Sequence, residues 1–313
     1  MYIKVISNIY KAEILLGKID VSNFCKMLKT KNVLFFITIE DSIALYMVCG
    51  FFRALIGKRT VGLSLEIPKE IPPLRSRIKY WIGKRILASN NIQTISIVPF
   101  EFQYGNTGLS KSWIYDLAYW DLRRNIPDDS IINDDVYSLL NESKKLFLYL
   151  GTLDRRKGFD DFVRLCAEMR NQNMNFKFIA AGDLGDYAEE MDEFKKLDGY
   201  VVGRVLTENE VLLLQKKSTL FWAYYPLYFN QSSGIVGRAL QLNKHVIIRN
   251  GSLVHRMNSA DDWRVISFHT FDAFIMAQEI SKKLNQKNTK VKPVDINYEE
   301  YSIKKLNNLI DSK

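Results

Sequence analysis

Histidine and cysteine are scarce in this chain, with three of each among 313 residues. Cys25, Cys49 and Cys166 stand singly in apolar surroundings and form no CxxC pair. A disulfide framework is therefore not expected, and buried, reduced thiols of a cytosolic protein fit better. The histidines are scattered and no carboxylates cluster with them, so no metal site is expected. Long hydrophobic runs are missing too. The longest, "NVLFFITI" and "IALYMVCGFF", fall far short of the ~18–20 residues of a membrane span. Lys4, Asn8, Lys11 and Glu13 interrupt the opening residues, so no signal-peptide layout is expected. There is no short-period repeat or low-complexity stretch. No DNA- or RNA-binding module is recognisable either, and nucleic acid is not an expected partner.

What is present is ordinary globular composition: 47% apolar and 25% charged residues, which speaks against disorder. The length allows two domains of about 100–200 residues each. In the second half, "LFLYLG", "FKFIAAGD", "GYVVGRV", "TLFWAYY", "KHVIIRN" and "RVISF" read as strands. Between them lie the helical patterns "GFDDFVRLCAEMRNQ", "TENEVLLLQKKS" and "SGIVGRALQLN". Thr207 followed by Glu210 predicts a capping box. Such alternation means a parallel sheet of βαβ units, covered on both faces. The first half repeats the style less cleanly, with "YIKVIS", "NVLFFITI", "RTVGLSL" and "TISIVPF" as strands. The acid- and amide-rich stretch over 125–143 predicts the linker. The expected division is an N-terminal domain over 1–130, a C-terminal domain over 131–295, and a final helix over 296–313 that closes the second domain or crosses back to the first.

The net charge of +9 is unevenly placed. Residues 71–90 hold Arg75, Arg77, Lys79, Lys84 and Arg85 without an acid, and Tyr80 and Trp81 lie between them. A basic helix with interfacial aromatics over 71–87 would be drawn to an anionic membrane surface; a solvated face with inward aromatics is the alternative. The aromatic stretch "WIYDLAYWDL" over 113–122 fits packing between domains better than sugar stacking.

Ligands of open parallel sheets sit beyond the carboxyl ends of the strands. The loops there read "GTLDRRKGFD", "GDLGDY", "GRVLTENE", "PLYFNQSSG" and "NGSLVHR", each with a glycine that lets backbone amides approach an anion. Arg155, Arg156 and Lys157 precede the helix opened by Gly158. Three cations oppose the helix dipole there, so either an anion such as pyrophosphate or the neighbouring Asp154 and Asp160 must offset them. Between Tyr228 and Ile248 there is no carboxylate. Ser232 or Ser233 is the N-cap of the helix that follows, and its first amides suit a phosphate. Glu40, Asp41 and Glu66 end two N-terminal strands and are candidates to orient an acceptor hydroxyl. His245 lies within a buried strand, and His255 and Arg256 follow "NGSLV".

The stretch "YLGTLDRRKGFDDFVRL" resembles the donor-binding signature of family 4 glycosyltransferases. "FIAAGD", "VVGRVLTENEVLLLQKKSTLFWAYYP" and "GIVGRALQLNKHVII" resemble the family's next segments, in order, over about residues 146–255. The resemblance implies a GT-B fold: two Rossmann-like α/β domains whose parallel sheets face a central cleft. It also implies a nucleotide-sugar donor, such as a UDP- or GDP-sugar, on the C-terminal domain and a glycan or lipid-linked acceptor on the other. Neither a cofactor nor a metal is implied. Lys157 with Arg155 or Arg156 would meet the donor phosphates, near Gly151, Thr152 and Gly182. Arg204 and Val205 would hold the base. Ser232, Ser233 and Gly234 would meet phosphate. Asn230 and Arg238 stand where the family has a Glu-x7-Glu pair; Asn230 would face the sugar and Arg238 would pair with phosphate. The implied activity is retaining sugar transfer, in synthesis of a bacterial surface glycan, by a cytoplasmic protein that sits peripherally at the membrane. A non-catalytic GT-B partner subunit is the second reading. A nucleotide-sugar epimerase, which would want carboxylates and histidines in the cleft, is the third.

Overall fold

The first segment departs from its sequence pattern. "YIKVIS" is β-branched and reads as a strand, yet Tyr2–Tyr10 is an α-helix. The apolar positions 2, 5, 6 and 9 recur at helical spacing, and Val5 and Ile6 are buried. That period of 3.6 outweighs the weaker strand propensity of the same residues. The structure is a computed structural model. It describes residues 2–10, 21–65, 89–103, 110–123, 132–140, 144–185, 188–229, 231–258, 263–286 and 297–311.

The chain forms two compact units. One comprises Met1–Leu117 with Asn297–Lys313, the other Ala118–Ile296. The change of unit thus falls at Leu117, ahead of the acidic stretch over 125–143. The reason lies in Ala118–Arg123, which is bonded to the 234–241 helix of the second unit, as described below.

In the first unit, β1 (Leu34–Phe36), β2 (Thr60–Ser64), β3 (Ile92–Ser96) and β4 (Ser112–Trp113) form a parallel sheet in that order. The helix Ile43–Leu55 covers one face and buries Tyr46, Cys49, Gly50 and Arg53. Tyr46 pairs its hydroxyl with Thr94 Oγ1 at 3.0 Å. Arg53 is fully buried. Its guanidinium donates to the carbonyls of Met27, Thr30, Asn32 and Arg59 at 2.7–3.2 Å, and to Thr60 Oγ1 at 3.2 Å. It therefore ties the 21–29 helix, β1 and β2 together without a carboxylate partner among the described residues. The terminal helix Tyr298–Asp311 also belongs here. Tyr301 stacks on Trp113 with centroids 4.7 Å apart, Ser302 Oγ accepts from Tyr115 N at 3.1 Å, and Arg59 reaches Leu309 O and Ile310 O. Cys49 and Cys166 are buried as expected, but Cys25 is exposed on the helix Val21–Lys29.

The second unit is built as its sequence predicts. Its strands are β5 (Lys145–Leu150), β6 (Phe176–Ala181), β7 (Tyr200–Val202), β8 (Leu220–Ala223), β9 (His245–Arg249) and β10 (Val265–Phe268). All pair in parallel, in the order β10-β9-β8-β5-β6-β7. Counted from β5, this is the doubly wound order 3-2-1-4-5-6, with its reversal point between β5 and β8. The strands are apolar throughout because helices cover them. Phe147, Phe162 and Trp222 meet edge to face under the helix Phe159–Asn171, with centroids 4.9–6.4 Å apart. His245, expected in the core, is half-buried and sets its ring edge-on to Trp263.

Candidate functional site

At the reversal point the chain leaves β5 and β8 side by side, and both exits are shaped by glycine and caps. Gly151 has φ +118° and Gly182 has φ +147°. A Cβ on Gly182 would lie 2.2 Å from Gly151 O, and one on Gly151 would lie 2.2 Å from Lys157 Nζ. Only glycine allows this approach of strand ends and lysine. Gly151 N and Gly182 N extend the ladder by donating to Ala181 O and Val202 O.

Asp154 organises the next turn. Its Oδ1 accepts from Lys157 N at 3.0 Å, and its Oδ2 takes Arg156 at 3.1 Å. The exposed Arg156 is thereby neutralised at the surface, so of the three cations expected on phosphate this one is already paired. Lys157 differs. Its carbonyl accepts from Trp222 Nε1 at 2.9 Å, which anchors the residue to β8. Its ammonium folds back over Gly151, and no carboxylate lies within ion-pair distance of it among the described residues. Burial holds this lysine below the ordinary lysine range, while the field of Asp154 acts in the opposite direction. Gly158, at φ +69°, then turns the chain into the 159–171 helix against Tyr224 O. Arg155 is exposed on the same turn, and Thr152 O accepts from Tyr149 at 2.8 Å.

Across the reversal point, Ser233 is the N-cap of the helix Gly234–Gln241 and accepts from Val236 N at 3.5 Å. Tyr225, fully buried, pairs its hydroxyl with Ser233 Oγ at 3.3 Å. Ser232 Oγ is buried and has no hydrogen-bond partner among the described residues. The Gly234 and Ile235 amides head the helix as unbonded first-turn donors, again among the described residues. Asn230, Glu66, the segment 71–87 and the Asp41 side chain lie outside the described residues.

Two of the arginines expected at the donor, Arg238 and Arg204, already have carboxylate partners within the fold. Arg238 pairs with Asp121. It is buried and donates twice to Asp121 Oδ2, at 2.6 and 3.1 Å, while Gln241 holds Asp121 Oδ1 at 2.9 Å. A Cβ on Gly237 would lie 2.5 Å from Ala118 O. Positions 234, 237, 238 and 241 share one helix face, which grips the 118–123 segment. Arg204 is likewise engaged. It forms a fork to Glu210 at 2.7 and 2.9 Å and reaches Asp135 at 2.8 and 3.2 Å. Glu210 also closes the capping box with Thr207 and accepts from Asn133. Arg204 holds its carboxyl down to about 2. Val205 beside it is exposed. Glu40, in the first unit, accepts from Ser64 Oγ at 2.7 Å and Leu65 N at 2.8 Å, and so ties the exit of β1 to that of β2.

Asp121 is not among the residues the sequence points to. It sits in an aromatic stretch and carries no local signal; only the helix facing it gives it a role. Asp154 did carry one, three residues before Lys157 at a turn. At the exits of β9 and β10, Asn250 bonds His269 at 3.0 Å, His255 Nδ1 accepts from Gly251 N at 3.4 Å, and Arg249 lies over the Tyr224 ring at 4.7 Å. Among the described residues no group of three or more His, Cys, Asp or Glu is placed to hold a metal ion.

No protein-family profile matches the chain, and no curated protein matches it. Solved structures do. A glycosyltransferase from Rickettsia africae aligns with 89% of this chain and 77% of its own, at 11% identity and a TM-score of 0.55. HepE from Anabaena, in complex with UDP, aligns with 83% and 72%, at 14% identity and 0.51. A Listeria monocytogenes protein provisionally assigned as a UDP-N-acetylglucosamine 2-epimerase aligns with 91% and 78%, at 9% identity and 0.52. With two parallel-sheet α/β units and these neighbours, the fold is GT-B.

Proposed function

We propose that the chain is a glycosyltransferase. It would take a sugar from a nucleotide-sugar donor, a UDP- or GDP-sugar, and pass it to a glycan or lipid-linked glycan. The observation that supports this most is Lys157: a half-buried lysine whose ammonium lies over Gly151 at the strand-order reversal, with no carboxylate partner among the described residues. A partly desolvated cation is stabilised by a counter-charge, and a diphosphate supplies one. On the loop after the neighbouring strand β8 are Ser232 Oγ and the head of the 234–241 helix, which suit the same anion.

In the proposed reaction the bond from the sugar to the donor phosphate breaks and a bond to an acceptor hydroxyl forms. Lys157, with Arg155 on the same turn and the helix head opposite, would stabilise charge on the departing diphosphate. Asn230 would meet the sugar, and retention without a metal follows the family resemblance. Synthesis of a bacterial surface glycan at the inner membrane face, with residues 71–87 on the lipid, completes the reading.

Titration with UDP, GDP and their sugars tests it. Lys157→Ala is expected to weaken binding roughly tenfold to a hundredfold, the worth of one or more charge-assisted hydrogen bonds. Unchanged affinity, or no affinity in the parent chain, refutes the proposal. The Arg238–Asp121 pair favours a second reading, a GT-B partner without turnover, because it engages the guanidinium expected to pair with phosphate. Nucleotide binding with no transfer or hydrolysis over a panel of acceptors would select that reading.

A further inference from the structure

The helix Ile43–Leu55, "IALYMVCGFFRAL", contains one charged residue, Arg53, and that residue is turned inward and fully buried. Tyr46, Cys49, Gly50 and Arg53 recur at helical spacing and face the sheet. The other side presents Ile43, Val48, Phe51, Phe52 and Leu55, with Ile56 just past the end, at 41–67% exposure. Phe51 and Phe52 meet edge to face with centroids 5.5 Å apart. At 1.5 Å per residue the stripe runs about 20 Å. Taking roughly 200 Å² per large side chain, it exposes about 600 Å² of apolar surface, the upper end of what soluble monomers show.

The margin of this stripe is basic toward its C-terminal end, while Glu40 and Asp41 precede its first residue. The helix Val21–Lys29, which packs against the Ile43–Leu55 helix, carries exposed Lys26 and Lys29, and exposed Lys31 follows. Lys58, at the far end of the stripe, donates to Leu28 O and Lys29 O. There is no acid between Val21 and Ile39.

We infer that this surface seats the protein on an anionic lipid bilayer. The aromatic and aliphatic side chains enter the boundary between headgroups and acyl chains, and the lysines lie at the height of the lipid phosphates. No helix among the described residues is long and apolar enough to cross a membrane, so the contact is a surface one. A second copy of the chain fits less well. A two-fold pair would set the lysine rim against itself. About 600 Å² per copy also falls below the ~800 Å² per partner of a standard interface. The inference extends the membrane part of the functional reading to a described surface and does not depend on the donor site.

The test is co-sedimentation with vesicles of phosphatidylcholine alone or mixed with phosphatidylglycerol. The parent chain is expected to bind the mixed vesicles and to leave them as salt rises. Phe51→Ser/Phe52→Ser/Leu55→Ser, all outward positions, is expected to bind at least tenfold less while keeping its circular dichroism spectrum. Lys26→Glu/Lys29→Glu should lose the preference for the anionic lipid. Equal binding of the parent to both vesicle types, or a triple variant that binds as the parent does, overturns the inference. So does self-association of the parent in sedimentation velocity without vesicle binding. UDP titration of the same samples separates the two proposals: nucleotide binding without vesicle binding defeats this one alone, and the reverse defeats the donor reading alone.

Discussion

At Glu210 one buried carboxylate serves three elements: it closes the Thr207 cap, accepts from Asn133, and receives the Arg204 fork. Its folded value of about 2 lies below the ordinary 4.5. Its contribution to stability is therefore complete above pH 4.5 and is lost as pH falls from there toward 2. At about 1.4 kcal/mol per unit, and discounted for the part-exposed Arg204, the loss amounts to about 2–3 kcal/mol. Thermal melts between pH 6 and pH 2.5 should show it, and Glu210→Gln should flatten that part of the profile. An unchanged slope in the variant would mean that other carboxylates govern acid unfolding. Lys157 and Arg53 make the complementary point. Lys157 is half-buried and Arg53 fully buried, and neither has a carboxylate partner among the described residues, but Arg53 has its donors matched to backbone carbonyls and Thr60 Oγ1 and has nothing left for a ligand.

The 234–241 helix shows what a sequence does and does not reveal about an element. Its existence, its Ser cap and its place after β8 were all legible from "SSGIVGRALQLN", because caps and apolar period are local. The role of Arg238 was not, since it depends on Asp121, 117 residues away in sequence. The same holds for Arg204, whose partner Glu210 was visible as a cap but not as an ion-pair acceptor. The opening helix was misread because "YIKVIS" is β-branched over six residues, too short a window to reveal the period that the fourth apolar position, Ile9, completes. The clamp yields a prediction. Asp121→Ala leaves the Arg238 guanidinium buried and unpaired, which typically costs about 3–5 kcal/mol. A urea titration followed by far-UV circular dichroism measures it; a loss under about 1 kcal/mol would show that the arginine re-solvates and the clamp is weak.

For the whole molecule, the six-stranded unit was the legible part, because βαβ alternation with fully apolar strands admits few topologies. The four-stranded unit was less so, since its short strands and its terminal helix rely on contacts between distant segments. That helix lies on Trp113, Tyr115 and Arg59 through Tyr301, Ser302 and its last carbonyls. Tyr301→Ala/Ser302→Ala is therefore expected to lower the melting of the first unit while leaving that of the second unchanged, since the contacts it removes lie within the first unit. Calorimetry should resolve the shifted component, and a uniform shift of all heat absorption would contradict the division into two units.

The same helix has a consequence for synthesis on the ribosome. The first unit is interrupted by Ala118–Ile296, so at about 5–20 residues per second its nascent strands wait on the order of ten seconds or more for their last helix. By the end of that interval the six-stranded unit is complete in sequence. Between the two units the order of completion thus runs against the order in which their strands are translated.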